Sequence, residues 1–252
     1  MTRIIMYGIN GRMGKAIEQM CENSNEYLIC AGVDINCGIP HRFPTVEDIS
    51  KIDESVDAII DFSHHTSVNT ILPYAKQNAI PVVLCTTGHT DEEKALIESY
   101  SKDIAIFKSA NMSLGVNLII ELAKKAATTL TGYDIEIIEK HHNQKLDAPS
   151  GTALMIADAI NNAKDQSMNY VYDRTNQRKK RASNEIGIHA IRGGNIVGEH
   201  EVMFAAANEI VSISHSALSR EVFADGALRA AQFIKGKKAG IYSMTDLLVQ
   251  SL

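Results

Sequence analysis

The chain has 252 residues, of which 45% are hydrophobic and 22% are charged, and its formal net charge at pH 7 is −5. Such a chain builds one large globular domain or two modest ones, and its acidic balance argues against nucleic acid as the main partner. No stretch reaches the about 18 consecutive apolar residues that a membrane-spanning helix needs, so no contact with a membrane is expected.

The first half of the chain alternates short apolar runs with helical patterns. Strands are predicted over residues 3–7, 27–33, 57–62, 80–85 and 104–107. Helices are predicted up to about residue 22, over 67–77 and from Asp91 onward, although Pro73 would remove a hydrogen bond inside the second of them. This alternation is typical of an α/β fold with a Rossmann-type, doubly wound parallel sheet. We therefore predict a dinucleotide-binding domain over residues 1–112.

The first predicted strand is joined to the first helix by a glycine-rich loop, Gly8-Ile9-Asn10-Gly11-Arg12-Met13-Gly14. Glycines at such a turn let the backbone approach a pyrophosphate, and the helix that follows adds free N–H groups and a partial positive charge. The spacing differs from the usual G-x-G-x-x-G, and a purely structural turn is the alternative. The strand before the loop and the helix after it favour a dinucleotide.

Asp34, at the end of the second predicted strand, bears on the choice of cofactor. An acidic side chain there can accept hydrogen bonds from the adenosine ribose hydroxyls. It would also repel a 2′-phosphate, and neither Ile35 nor Asn36 offers a compensating cation. These residues predict NADH rather than NADPH as the preferred cofactor.

Two further loops follow predicted strands, Thr86-Thr87-Gly88 and Ala110-Asn111-Met112-Ser113. Ligands of parallel sheets bind beyond the carboxyl ends of the strands, so contact with the nicotinamide half of the cofactor is expected here. The alternative is that these residues are ordinary loop residues with no role in binding.

The second half of the chain shows a different pattern of predicted helices and strands. A long helix is predicted from Leu114 to about Leu130, and a half-exposed strand over 133–139. The remaining elements are a helix over 152–163, strands at 186–191, 201–204 and 209–215, and apolar segments at 223–234 and 244–249. Successive strands without helices between them suggest a mixed, open sheet. We predict a second α+β domain over 113–219 for substrate binding and oligomerisation, with 220–252 packing back on the first domain.

The most unusual stretch covers residues 139–153 and has the sequence EKHHNQKLDAPSGTA. It contains candidates for proton transfer and for anion binding at a helix start, namely His141, His142, Lys145, Gly151 and Thr152. Ser150 is a good N-cap, so the first N–H groups of the next helix would form an anion pocket, and histidine exchanges protons near neutral pH. We interpret the stretch as a site where a small anion receives a proton. Structural histidines are the alternative. No metal is expected, because adjacent histidines on a strand point in opposite directions.

The remaining polar residues have ordinary explanations. Three further histidines, His189, His200 and His215, lie in or beside strand patterns and are interpreted as structural. The basic run 178–181 is interpreted as a solvated loop. The cysteines show no zinc-ligand spacing and the N-terminus shows no secretion signal, which together predict free thiols in a cytoplasmic protein.

The glycine-rich loop and the stretch at 139–153 closely resemble those of the dihydrodipicolinate (4-hydroxy-tetrahydrodipicolinate) reductases. The likeness extends to the loops at 86–88 and 110–113, to Arg192-Gly193-Gly194, to 196–200 and to Ser219-Arg220, and it spans nearly the whole chain. It implies the second step of the diaminopimelate route to lysine. In that step a nicotinamide cofactor delivers hydride to a cyclic unsaturated dicarboxylate, and water is lost.

The resemblance also implies residue roles. His141 would be the proton donor or acceptor and Lys145 a second proton donor, while His142 and the amides of Gly151 and Thr152 would hold a substrate carboxylate. The residues implied for the cofactor are Gly8, Ile9, Asn10, Gly11, Arg12, Met13, Asp34, Cys85, Thr86, Thr87, Ala110, Asn111, Met112 and Ser113.

The chain departs from the family pattern at two positions. Cys85 stands where a glycine is often found, and Ile35 stands where some members have a basic residue, which weakens the expectation of NADPH use. Family members are typically cytoplasmic homotetramers that associate through the open sheet of the second domain, and the same assembly is expected here.

Two other functions are compatible with the motifs. One is another two-domain NAD(P)-dependent dehydrogenase that acts on a small anionic substrate. The other is a non-enzymatic NAD(H)-sensing regulator whose basic run contacts DNA, although the sequence lacks a helix-turn-helix segment.

Overall fold

The computed structural model describes residues 1–176 and 178–250, and the chain divides into two compact units. Unit 1 comprises Met1–Leu114 together with the chain from Arg220 onward, and unit 2 comprises Gly115–Ser219. Across the described residues, none of the helices combines the length and apolar character needed to cross a membrane.

The elements follow one another in this order. Up to residue 114 they are β1 (Thr2–Tyr7), α1 (Arg12–Glu22), β2 (Tyr27–Val33), β3 (Thr45–Val46), β4 (Ala58–Asp61), α2 (Val68–Gln77), β5 (Val82–Leu84), α3 (Asp91–Tyr100) and β6 (Ala105–Lys108). Then come α4 (Leu114–Thr129), β7 (Asp134–His141), α5 (Gly151–Ala163), β8 (Asn169–Val171), β9 (Glu185–Arg192), β10 (Gly198–Ala205), β11 (Ile210–Ala217), α6 (Glu221–Ile234), β12 (Gly240–Tyr242) and α7 (Met244–Gln250).

Unit 1 is built on a seven-stranded parallel sheet with the strand order β12-β6-β5-β4-β1-β2-β3. Side chains of β1 alternate between two apolar cores. Ile4 and Met6 pack with α1 and α6 on one face, and Ile5 packs with α2 and α3 on the other. Burial on both faces is why the strands of this sheet are continuous apolar runs. The predicted Rossmann-type sheet is confirmed, and the short edge strands β3 and β12 are additions that the sequence did not reveal.

The objection to a helix around Pro73 was wrong. Helix α2 continues through this residue. Ile71, Leu72 and Ala75 are fully buried beside it, and burial of that apolar surface outweighs the one backbone hydrogen bond that a proline removes.

Unit 2 contains a five-stranded mixed sheet with the order β11-β10-β7-β9-β8. Strands β7 and β9 are parallel, whereas β10 is antiparallel to both β7 and β11, so the predicted mixed sheet is confirmed. One face of the sheet packs on α4 and α5, with Ile135 and Ile137 of β7 in that core. Because side chains alternate along a strand, Glu139 and His141 continue the same buried row. Strand β7 therefore extends past its predicted end at Glu139, and this extension places His141 within the sheet.

Candidate active site

Glu139 lies at the centre of a polar cluster. The cluster stands at the end of the buried row of side chains on β7 in unit 2. The side chain of Glu139 is fully buried. Arg192 donates from Nη1 to Oε2 (2.8 Å) and from Nη2 to Oε1 (2.7 Å), and the backbone N–H of Ser150 donates to Oε1 (3.0 Å). Burial alone would raise the pKa of Glu139, but the hydrogen bonds from Arg192, His141 and Ser150 outweigh it and lower the pKa below its ordinary value. The group is therefore a buried carboxylate with a bidentate guanidinium partner.

The register of the sheet explains why these residues meet. Parallel pairing sets His141 opposite Arg192, and antiparallel pairing sets His200 opposite Glu139. Alternation along each strand puts the four side chains on the same side of the sheet. The cluster thus belongs to the ends of three strands, which are rigid supports.

The hydrogen bond to Glu139 determines which nitrogen of His141 is available. Nδ1 of His141 lies 2.7 Å from Glu139 Oε2. A carboxylate only accepts hydrogen bonds, so Nδ1 carries the proton and Nε2 is the nitrogen left for proton exchange. Burial lowers the pKa of His141; Glu139 opposes this effect, and Lys145 adds to it. With the pKa lowered, the ring is neutral near pH 7.

A glycine faces the ring of His141. A Cβ on Gly198, the first residue of β10, would lie 3.1 Å from His141 Nε2. This is tighter than most contacts of a real Cβ, so the absence of a side chain leaves the reactive nitrogen uncrowded.

His200, interpreted as structural from the sequence, lies beside His141. The two rings pack edge to face with their centroids 5.3 Å apart. Nε2 of His200 is 3.1 Å from Ser150 Oγ, and its buried Nδ1 has no hydrogen-bond partner among the described residues. Burial lowers the pKa of His200 to about 4, so this ring is also neutral near pH 7.

Lys145 and His142 lie on the loop between β7 and α5. Lys145 Nζ is 2.8 Å from Asp147 Oδ1, and this ion pair lowers the pKa of Asp147. His142 is half-buried and follows the last residue of β7. Lys145 is therefore close to His141 in the sequence, but it is held by Asp147 of its own loop rather than by Glu139.

Helix α5 begins where the sequence predicted an anion pocket. Ser150 is its N-cap and accepts a hydrogen bond from the backbone N–H of Ala153 at 3.1 Å. Gly151 and Thr152 are the first two helical residues, and the first N–H groups of a helix have no partner within it. The helix start already has an acceptor, because a hydrogen bond from the backbone N–H of Gly151 contributes, after Lys145, to lowering the pKa of Asp147. Nothing lies within 4 Å of the place where a Cβ of Gly151 would be.

The glycine-rich loop of unit 1 has the close packing that a dinucleotide site requires. Gly8 has a φ of 84°, a conformation that favours glycine. A Cβ on Gly14 would lie 2.2 Å from the carbonyl oxygen of Ile9, so α1 approaches the loop more closely than a side chain would allow. The side chain of Ile9 is fully buried in the core, and only its backbone can contact a ligand.

Asp34 is tied to the same loop. Its Oδ2 accepts from the backbone N–H of Asn10 (2.9 Å), and its Oδ1 accepts from the backbone N–H of Asn36 (3.1 Å). Ile35 beside it is 91% exposed, and no cation stands at that position.

A cavity of about 350 Å³ lies beside the loop in unit 1. Its lining residues are Arg12, Met13, Phe62, Cys85, Ala110, Asn111, Met112, Arg220 and Phe223. Three separate predicted cofactor segments thus line one space. Phe62 and Arg220 join them, although the sequence pattern did not assign either to the cofactor. The lining does not include Thr86, Thr87 or Ser113. Thr86 is buried with its Oγ1 3.1 Å from His89 Nε2, Thr87 is exposed, and Ser113 is buried.

A metal centre finds no support in the part of the chain that the structure describes. Within residues 1–176 and 178–250, no group of three or more His, Cys, Asp or Glu side chains is arranged to hold a metal ion.

Comparisons with known proteins point to one family across the whole chain. Residues 2–112 match the model of the dihydrodipicolinate reductase N-terminus, and residues 115–248 match that of the C-terminus. The 4-hydroxy-tetrahydrodipicolinate reductase of Caldanaerobacter subterraneus subsp. tengcongensis is 52% identical, and that of Clostridium novyi is 49% identical, each with 98% of both chains covered. Among solved structures, dipicolinate-bound dihydrodipicolinate reductase from Paenisporosarcina sp. TG-14 has a TM-score of 0.79 at 22% identity and covers 96% of this chain and 97% of its own.

Acidification should destabilise the protein through His200. Its pKa falls from 6.5 to about 4 on folding, so the unfolded chain binds the proton more readily than the folded chain. The stabilisation is complete above about pH 6.5 and is lost as the pH falls toward 4, on the order of 3 kcal/mol in full. Urea unfolding near pH 7 and near pH 4.5 measures this loss. The wild-type chain should lose more stability than a His200→Gln variant, and equal losses would contradict the assignment.

Proposed function

Because the chain belongs to the dihydrodipicolinate reductase family, we propose that it reduces 4-hydroxy-tetrahydrodipicolinate with a nicotinamide cofactor. The products are tetrahydrodipicolinate and water, and the reaction is the reductase step of the diaminopimelate route to lysine. The observation that carries the proposal is the neutral ring of His141, oriented by the buried Glu139 carboxylate close to the N-cap of α5.

The residues of unit 1 fit a nicotinamide dinucleotide. The close approach of α1 at Gly14 and the cavity lined by Arg12, Cys85 and Asn111 support this assignment. When bound, the cofactor supplies the hydride. The carboxylate of Asp34, followed in sequence by an exposed Ile35 rather than by a cation, supports NADH over NADPH as the preferred cofactor.

A dicarboxylate substrate would itself charge His141. The ring is neutral in the free protein because burial lowers its pKa. An anion bound close to the ring favours the imidazolium, so substrate binding loads Nε2 with a proton. That proton can go to the carbanion-like centre that hydride addition leaves on the substrate. Glu139 holds Nδ1 throughout and keeps Nε2 directed at the reacting side.

Binding of the substrate would move the ammonium group of Lys145 from the carboxylate of Asp147 to a carboxylate of the substrate. In the free protein its ammonium group pairs with Asp147. A substrate carboxylate at the start of α5, held by the amides of Gly151 and Thr152 and by His142, would compete for that ammonium. Lys145 then acts as an anion ligand and a second proton donor.

The proposal includes a cytoplasmic homotetramer that associates through the sheet of unit 2. Ile191 of β9 and Ile210 of β11 are 46% and 63% exposed, which supports a partner on that sheet. Sedimentation velocity should give about four times the chain mass, and a monomer would rule this assembly out.

A coupled assay tests the activity directly. Purified protein should oxidise NADH when 4-hydroxy-tetrahydrodipicolinate is supplied, and kcat/KM should be higher with NADH than with NADPH because Asp34 repels the 2′-phosphate. If neither NADH nor NADPH is oxidised, the proposed reaction is refuted. A higher kcat/KM with NADPH would overturn only the cofactor preference.

Substituting His141 separates chemistry from cofactor binding. His141→Gln should lower kcat by about 100-fold or more, the usual contribution of a proton-transferring side chain, while NADH affinity measured by fluorescence changes little. His189→Gln is a matched control, because His189 pairs with Glu136 at 2.8 Å and is outside the cluster. Near-normal turnover in His141→Gln would remove His141 from catalysis.

A further inference from the structure

Asp61 is a fully buried acid in unit 1 that takes no part in the proposed proton transfer. It is the last residue of β4. In the sheet the chain runs outward from β1 to β2 and then returns to β4 on the other side of β1. Ligands of parallel sheets bind at such a reversal, beyond the carboxyl ends of the strands. Asp61 therefore lies at the edge of the sheet where a dinucleotide is expected.

The hydrogen-bond partners of the Asp61 side chain are uncharged. Oδ1 accepts from the backbone N–H of Ser63 (2.9 Å) and from the Ser63 hydroxyl (2.6 Å), and Oδ2 accepts from the hydroxyl of Ser67. The side chain of Thr86 is a further partner. Burial raises the pKa of Asp61, and these hydrogen bonds oppose the rise without cancelling it. Burying an acid in this way costs free energy that an apolar residue would not cost.

The contact with Thr86 joins Asp61 to one of the predicted cofactor loops. The backbone N–H of Cys85 donates to the carbonyl oxygen of Asp61 at 3.0 Å, so the main chain and the side chain of Asp61 hold two successive residues of this loop. The hydroxyl of Thr86 also lies 3.1 Å from Nε2 of His89. Thr86 is buried, whereas Thr87 is exposed. Thr86 thus anchors the loop, and Thr87 is the side chain that stays accessible.

The turn that follows Asp61 also touches the glycine-rich loop. A Cβ on Gly8 would lie 3.2 Å from backbone atoms of Phe62 and Ser63, and Phe62 lines the cavity beside that loop. The carboxyl group of Asp61 binds both Ser63 and Thr86. It therefore connects the turn packed on one predicted cofactor loop with the start of another.

The far end of the loop that contains Thr86 is fixed without Asp61. Thr90 is the N-cap of α3 and forms a capping box with Glu93. These hydrogen bonds are local to the helix start. Removal of the Asp61 side chain would therefore release the beginning of the loop and leave α3 in place.

We infer that Asp61 is a positioning residue for the nicotinamide cofactor, because it fixes the hydroxyl of Thr86 and with it the course of residues 86–88 in the NADH site. The inference rests on the proposed function, since it takes this loop and residues Gly8 to Met13 as parts of that site. It adds a residue that neither the glycine-rich motif nor the Thr-Thr-Gly loop contains.

Paired substitutions test whether Asp61 acts through Thr86. Asp61→Ala and Thr86→Val should each weaken NADH affinity, measured by fluorescence titration, by about tenfold, the effect of one strong hydrogen bond. The double variant should also lose about tenfold, because both changes remove the same contact. A loss of about a hundredfold in the double variant, the product of two independent effects, would overturn the inference.

Asp57→Ala is the matched control. Asp57 stands just before the other end of β4, where it accepts from the backbone N–H of Arg3 at 2.8 Å and pairs with Lys235 at 3.0 Å. Its removal should lower the free energy of unfolding, measured with urea, but leave NADH affinity within about twofold of the wild type. An equal loss of affinity in Asp57→Ala and Asp61→Ala would overturn the inference, since lowered stability would then explain both.

Amide hydrogen exchange tests the loop without NADH. In the free protein, Asp61→Ala and Thr86→Val should each speed exchange at residues 86–88 while α3 keeps its protection. If Asp61→Ala does not fold, Thr86→Val decides alone, and unchanged exchange and affinity in that variant would overturn the inference. Failure of the wild-type protein to bind NADH, with the exchange as expected, would instead count against the proposed function.

Discussion

A buried carboxylate that must remain charged governs the arrangement of unit 2. Glu139 has no contact with water, and an unpaired charge in such a place would cost several kcal/mol. Its partners come from β7, from β9 and from the start of α5. Each of these elements is therefore fixed relative to the other two by the same group, and the ring of His141 is oriented by the interaction that stabilises the fold.

The two units differ in the groups that they offer to a charged ligand. Unit 2 concentrates ionised side chains at the strand ends and in the loop after β7, where Arg192 pairs with Glu139 and Lys145 pairs with Asp147. Unit 1 relies on backbone geometry, with Gly8 and Gly14 permitting close approach and Asp34 held by main-chain N–H groups. An enzyme that binds a dinucleotide and a dicarboxylate needs both, since a pyrophosphate is well held by amides and a proton must come from a side chain.

The sequence predicted the fold class because continuous apolar runs mark the strands of unit 1, whereas alternating apolar and polar residues mark strands of unit 2. It also predicted Ser150 as the N-cap of α5, since this is a local signal that needs no tertiary context. It did not predict the roles of Glu139 or His200, because only the pairing of β7 with β10 brings them together.

The basic run at residues 178–181 also depends on residues that are distant in sequence. Arg181 was interpreted as solvated, but its side chain is only 17% exposed and donates to Glu136 and Asp134 on β7. For this residue the interpretation was wrong, since the acids that draw it onto the sheet are distant in sequence. The preceding residues 178–180 are exposed, as the composition of the run suggested.

The two candidate proton donors differ in how firmly they are held. His141 ends a strand that is paired on both sides, whereas Lys145 is tethered by Asp147, an acid whose side chain is 59% exposed and therefore well screened by water. A small change in the length or course of this loop would move the ammonium group without moving Nε2. If Lys145 binds a substrate carboxylate as proposed, it can adjust to anions whose charged groups lie at different distances while His141 stays in place.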